Sequence, residues 1–214
     1  MKRLAMAAML VALSLGVAVA RAQTLPTADF SGRWLPQDAI ETPERNRHHW
    51  DLEEIQGVHL QPTDEMIRFY ADSVSAEGLA AAFAENLQDL QQFLADPLGR
   101  LTELLGQWNT PREGARLEGL VSALLSSDNI RTVYGTWVYD DTYNDAIDTM
   151  AVVFGYAAGP YFVGMYAEVQ VAQNRELVEG SMLLELVNNK TFQAEGKSEE
   201  GIRWEELCFQ VPDL

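Results

Sequence analysis

The chain has 214 residues, with 15 lysines and arginines set against 32 aspartates and glutamates, and carries a formal charge of −17. Its basic residues are spread thinly and form no stripe that could neutralise phosphates, which excludes nucleic acid as a partner. The single cysteine, Cys208, excludes an intrachain disulfide and, between Leu207 and Phe209, reads as a small buried hydrophobe.

Residues 1–22 read as a signal peptide. Lys2 and Arg3 precede an apolar run from Leu4 to Ala20, and the small residues Ala20 and Ala22 stand at −3 and −1 before Gln23. Cleavage after Ala22 removes three cations and no acid, so the formal charge moves to −20 on a chain of 192 residues, enough for one substantial domain over 23–214. The implied destination is the periplasm or the outside of the cell. An uncleaved anchor is the competing reading, because the run of 17 residues sits at the lower limit for a spanning helix. No later segment is apolar enough to span a membrane once the signal is removed.

Between Asp29 and Leu35 the pattern fits a short strand, Glu41 to Asn46 is polar and interrupted and reads as loop, and Ile55 to Leu60 fits a second short strand. From residue 63 to 128 the period becomes helical. Leu79, Phe83, Leu87, Leu90 and Leu94 recur every three or four positions, and Leu98, Leu101, Leu105 and Trp108 continue the stripe. Asp96-Pro97 reads as an N-cap followed by proline at the first helical position, and Thr110-Pro111-Arg112-Glu113 as a capping box. Beyond Asn129 the period is two, which predicts strands over 131–139, 147–155, 161–171, 177–187, 190–195 and 202–211 in an antiparallel meander. In the third of these, Tyr161, Val163, Met165, Ala167, Val169 and Val171 form one dry face opposite Gly164, Glu168 and Gln170. The fold expected is α+β, with a helical block over 63–128 packed on a curved, barrel-like antiparallel sheet over 131–211 and one core shared between them.

Phe30-Ser31-Gly32-Arg33-Trp34 resembles the Gly-x-Trp opening of lipocalins, in which the tryptophan closes the base of a β-barrel. The resemblance covers five residues, and Gly135-Thr136-Trp137 repeats the tripeptide. It implies a sheet curved around an apolar interior, with Arg203 on the last strand as the cation stacked on Trp34 and the helices covering or plugging the barrel.

No motif specifies a cofactor or a known catalytic centre. There is no Gly-x-Ser-x-Gly elbow, no phosphate-binding glycine loop and no His-Glu-x-x-His helix. His48, His49 and His59 lie within twelve positions, beside Asp51, Glu53 and Glu54, and suit a metal-assisted hydrolase on residue type alone. Adjacent side chains in an extended segment point to opposite faces, however, which favours a solvated loop. Asp140 to Asp148 offers the oxygens calcium prefers without the glycine and glutamate of a calcium loop, and reads as a polar hairpin. Glu205 and Glu206 face opposite ways on a strand and receive no role. What remains is a non-catalytic binding or accessory protein of the cell envelope whose partner is a small apolar ligand or an envelope protein. A structural, protein-docking subunit of an envelope complex is the other alternative to the hydrolase. The ligand-binding candidates are Trp137, Tyr156 and Tyr166, large rings with a polar handle on the sheet.

Overall fold

A computed structural model describes residues 29–41, 47–108, 117–120, 122, 126–139, 149–170 and 177–212. The signal peptide and its cleavage site, the capping box at Thr110 and the acidic segment 140–148 lie outside the described residues. Among those described, no helix is long and apolar enough to cross a membrane.

Eight antiparallel strands close into a barrel in sequence order: β1 (Gly32–Pro36), β2 (His49–Gln56), β3 (Arg131–Tyr139), β4 (Thr149–Ala158), β5 (Tyr161–Gln170), β6 (Leu177–Asn188), β7 (Thr191–Ser198) and β8 (Arg203–Gln210). Closure comes from β1 pairing with β8, where Trp34 faces Gln210 and Pro36 faces Cys208. A short helix, α1 (Gln37–Glu41), follows β1, and the segment between β2 and β3 holds, among the described residues, α2 (Asp64–Ala76), α3 (Ala80–Glu85), α4 (Leu87–Ala95) and α5 (Pro97–Leu105).

The six late strands fall where the two-residue period places them. The barrel nevertheless begins earlier, with two strands before the helices, and β2 occupies 49–56 instead of 55–60. Among the described residues the helices form in short pieces across 64–105, and residues 117–120 are helical as well. Thr63 caps α2 by accepting from the Met66 N–H at 3.3 Å, and Asp96 caps α5 by accepting from Gly99 at 3.1 Å with Pro97 at its first position.

Because helices cover part of the outer wall, β3, β4 and β5 are dry on both faces. The inner face carries Val133, Trp137, Val153, Phe162 and Tyr166. The outer face carries Tyr134, Val138, Met150, Phe154, Val163 and Met165, packed with Met66, Tyr70, Phe83, Phe93, Leu104 and Trp108 of the helical layer. Two polar handles lock this layer to the wall: Tyr70 Oη donates to the Val153 carbonyl at 2.6 Å, and Trp108 Nε1 donates to Ser181 Oγ at 2.8 Å. The dry face read on β5 is therefore the one under the helices. Gly164, on the face read as wet, lies inside the barrel.

Glycine in the wall makes room for large rings inside it. A Cβ at Gly180 would stand 2.3 Å from the Tyr166 ring, and one at Gly196 would stand 2.0 Å from the Trp204 indole. Eight-stranded barrels are just wide enough for side chains to fill, and here Phe30, Trp34, Trp50, Trp137, Phe162, Tyr166 and Phe192 do so, with Trp204 half-buried among them.

The apolar stripe of the helical layer breaks at two positions. Leu79, Phe83, Leu90, Leu101 and Trp108 are buried, but Leu87 is 51% and Leu98 47% exposed. The chain turns at Asn86 and restarts with Leu87 as the first residue of α4, which rotates Leu87 to solvent. Leu87→Ala is therefore expected to change stability by no more than about 0.5 kcal/mol. Urea denaturation checks this, and a loss of about 2 kcal/mol or more would return Leu87 to the core.

Candidate functional site

The two ends of the barrel differ in how the chain crosses them. At one end β4–β5 and β6–β7 are joined by two-residue turns at 159–160 and 189–190. At the other, which we term the mouth, β1, β3, β5 and β7 end and β2, β4, β6 and β8 begin. Each end holds one cluster of charged side chains inside the wall.

The turn end is closed by an ion pair. Arg131 opens β3 facing inward and is 1% exposed. Its Nη1 donates to Glu54 Oε2 at 2.7 Å and its Nη2 to the Gly159 carbonyl at 3.1 Å, while Glu54 Oε1 accepts the Phe30 N–H at 2.8 Å. Burial pushes the Glu54 carboxyl up, and the Phe30 N–H and Arg131 oppose that shift. Each of these charged groups has a partner of opposite sign and a further hydrogen bond, so the cluster reads as a structural plug. Trp34 lies inside the wall, fully buried, as the lipocalin resemblance implies for such a residue. Its indole N–H donates to the Phe30 carbonyl at 2.8 Å. Arg203 is not its stacking cation: it is exposed, pairs with Lys197, and lies seven residues along β8 from Gln210, the residue facing Trp34. The buried cation of the turn end is Arg131.

At the mouth His48, just before β2, is 2% exposed and meets Glu206 of β8, whose side chain is 13% exposed. Glu206 Oε1 lies 3.2 Å from His48 Nε2, and Trp137 Nε1 donates to the same nitrogen at 2.8 Å. The other oxygen, Glu206 Oε2, accepts from Trp50 Nε1 at 3.0 Å and has Cys208 Sγ at 3.8 Å. Burial and the Glu206 carboxylate push the Cys208 thiol up, which makes it inert as a nucleophile. Trp204 Nε1 donates to Tyr166 Oη at 3.2 Å, and burial pushes that phenol up as well. Trp137 is the hub of the rings, stacked on Trp50 at 5.0 Å and 17°, 4.8 Å from Trp204 and edge-on to Tyr166 at 5.9 Å. Asp38 of α1 lies 3.9 Å from His48 Nδ1, and the Tyr139 ring meets the imidazole edge-on at 4.8 Å.

Two of the three ring residues singled out in the sequence, Trp137 and Tyr166, thus meet at the mouth. Tyr156 does not join them. It sits on the outer face of β4, donates to the His59 carbonyl at 3.0 Å, and has its phenol pushed up to about 12 by burial. The histidines also separate. His48 faces inward and His49 outward, as alternation requires, while His59 lies beyond β2 with its N–H on Thr132 Oγ1 at 2.9 Å. Among the described residues no group of three or more His, Cys, Asp or Glu is placed to hold a metal ion. His48, Trp50, Trp204 and Glu206 were not expected at a site. Trp50 and Trp204 carried the available signal, as large rings on the same strand parity as Leu52 and Cys208.

On the outer wall His49 Nδ1 contacts the Arg47 carbonyl at 2.5 Å and its Nε2 lies 3.5 Å from Asp51, which Arg33 clamps through two contacts at 2.7 and 2.8 Å. Burial works against ionisation of Asp51, yet the hydrogen bonds from His49 and Arg33 hold its carboxyl down to about 2. This group borders a cleft of about 310 Å³ between the wall and α2, with Phe69, Ser73 and Val138. Both nitrogens of His49 face oxygens within its own group, so neither is free to act as a base in the cleft. A second cleft, of about 900 Å³, lies between α4, α5 and the start of β6, where Arg100 is clamped by Glu103, Glu179 and Glu199. Neither cleft is lined by Trp137, Tyr156 or Tyr166.

Fold and clusters together define an eight-stranded up-and-down barrel with a helical insertion after its second strand and a polar, tryptophan-rich mouth. Comparison with protein-family models, with curated proteins and with solved structures finds no match.

Proposed function

We propose that this is an exported, non-catalytic binding or accessory protein of the cell envelope, and that its binding end is the mouth of the barrel. The ligand class that fits is small and mainly apolar with one hydrogen-bonding end, stacked on Trp137 and Trp204 and fixed by Glu206 or His48. One observation carries the reading: a titratable pair, His48 and Glu206, is set inside the wall with two indole N–H groups, of Trp137 and Trp50, donating to it. An apolar filling would be as stable or more so, since buried polar pairs repay their desolvation poorly. Residues that break the local rule in this way concentrate where function requires them. Trp204 is the ring best placed to give way to a ligand, because it is only half-buried.

The test is titration of the mature chain with N-phenyl-1-naphthylamine, read by energy transfer from tryptophan. Saturable binding at one site per chain is expected, weakened up to about tenfold in Trp204→Ala, since one ring contact is worth about 0.5–1.5 kcal/mol. Absence of saturable binding, or equal binding by the variant, overturns the mouth as a ligand site. A second reading, docking to an envelope protein, then takes its place. It is favoured by the rings filling the interior and by both large clefts lying outside the barrel.

A further inference from the structure

We infer that the mouth carries a proton-driven switch in which His48 exchanges Trp137 for Glu206 as its partner. The ground is a conflict of hydrogen-bond roles at one atom. His48 Nε2 receives the Trp137 N–H at 2.8 Å and also faces Glu206 Oε1 at 3.2 Å. A ring nitrogen either carries a hydrogen or presents a lone pair, so it serves one of these neighbours at a time.

Asp38 Oδ2, 3.9 Å from Nδ1, favours a hydrogen on that nitrogen. In the neutral ring Nε2 is then the acceptor, Trp137 is bound, and the Glu206 carboxylate faces a lone pair. When the ring takes one proton from solvent, Nε2–H donates to Glu206 Oε1 in a charge-assisted bond. The Trp137 N–H now points at another N–H and must release. Glu206 keeps its Trp50 bond through Oε2, so the change is confined to Trp137 and the rings stacked on it.

Among the described residues, groups face this pair from each element packed on it. Asp38 comes from α1, the Trp137 and Tyr139 rings from β3, Glu206 and Cys208 from β8, and Trp50 from β2. On β5, Glu168 acts on Tyr166, the phenol that holds Trp204. None of the groups named is a cation. Protonation of the ring thus loosens the ring cluster that fills the mouth. That this gates a ligand rests on the mouth being the binding site; the exchange of partners does not.

The test follows the indole N–H resonances of ¹⁵N-tryptophan-labelled mature chain from pH 8 to pH 5, with Trp137 assigned from Trp137→Phe. A single one-proton step at the Trp137 resonance is expected, with the Trp50 resonance shifting less. His48→Gln should abolish the step, because a glutamine amide accepts from Trp137 and donates to Glu206 at the same time. Glu206→Gln should keep the step and move its midpoint to lower pH by removing the anion, which supplies a second arm if His48→Gln does not fold. An invariant Trp137 resonance in wild type, a step that persists in His48→Gln, or an unmoved midpoint in Glu206→Gln overturns the switch. Probe titration at both ends of the range keeps the two ideas apart. A titrating Trp137 without probe binding sinks the ligand site alone, and probe binding with an invariant Trp137 sinks the switch alone.

Discussion

Arg131→Ala is expected to cost about 3–5 kcal/mol of folding stability, as removing one member of a buried ion pair does. The Glu54 side chain is 9% exposed and loses its Nη1 partner, while the Gly159 carbonyl loses Nη2. Native domains hold only about 5–15 kcal/mol in reserve, so the variant should be near its unfolding threshold. The deficit depends on pH with a definite sign. Burial already raises the Glu54 carboxyl, and without Arg131 nothing but the Phe30 N–H opposes that rise. A folded-state value above the unfolded one means the folded form binds the proton more tightly, so the deficit is full above the folded value and shrinks as pH falls toward the unfolded value near about 4.3. Glu54→Leu with Arg131→Leu should recover most of the loss, because no charge is left buried alone. Urea denaturation of single and double variants at neutral and acid pH is the measurement. A single variant within about 1 kcal/mol of wild type, or a double variant as unstable as the single, would show that the pair does not seal the turn end.

That same pair explains why the start of the barrel was hard to read. β2 runs His49-Trp50-Asp51-Leu52-Glu53-Glu54, and its inward positions begin with Trp50 and Leu52, a regular period of two. Glu54 breaks it, and what makes Glu54 tolerable inside is Arg131, 77 positions later. No local window contains both. The late strands were legible because apolar residues alternate there, and β3 matches residue for residue. Which face was which could not be read, because a wall with side chains packed inside and helices outside is apolar on both faces. Phe162-Gly164-Tyr166 then looks wet only because glycine makes room for a ring. The mouth suffered the same way. His48 and Glu206 are 158 positions apart and are joined only through barrel closure, while Trp137 and Tyr166 were visible as rings but not as hydrogen-bond partners of anything.

Trp137→Ala carries the second large expected effect, again about 3–5 kcal/mol, the range for deleting a buried aromatic side chain. The ring is 5% exposed and touches Trp50, Trp204 and Tyr166, so its removal leaves a void walled by three rings that are themselves held by hydrogen bonds to Glu206 and to each other. Those bonds limit how far the wall can collapse, which places the cost toward the upper part of the range. One term works in the opposite direction. Without the indole N–H, His48 Nε2 serves Glu206 alone, and the conflict at that nitrogen disappears. Trp137→Phe separates the two effects, since it keeps most of the ring contact and removes only the donor; it is expected to lose about 1 kcal/mol or less. The packing around this ring makes the folding cost large and would mask any loss of binding. Affinity is therefore better measured on Trp204→Ala, whose ring is half-buried, and stability on Trp137→Ala. Urea denaturation with matched slopes decides it. A loss under about 1 kcal/mol for Trp137→Ala would mean that the indole does not pack as the hub of the mouth.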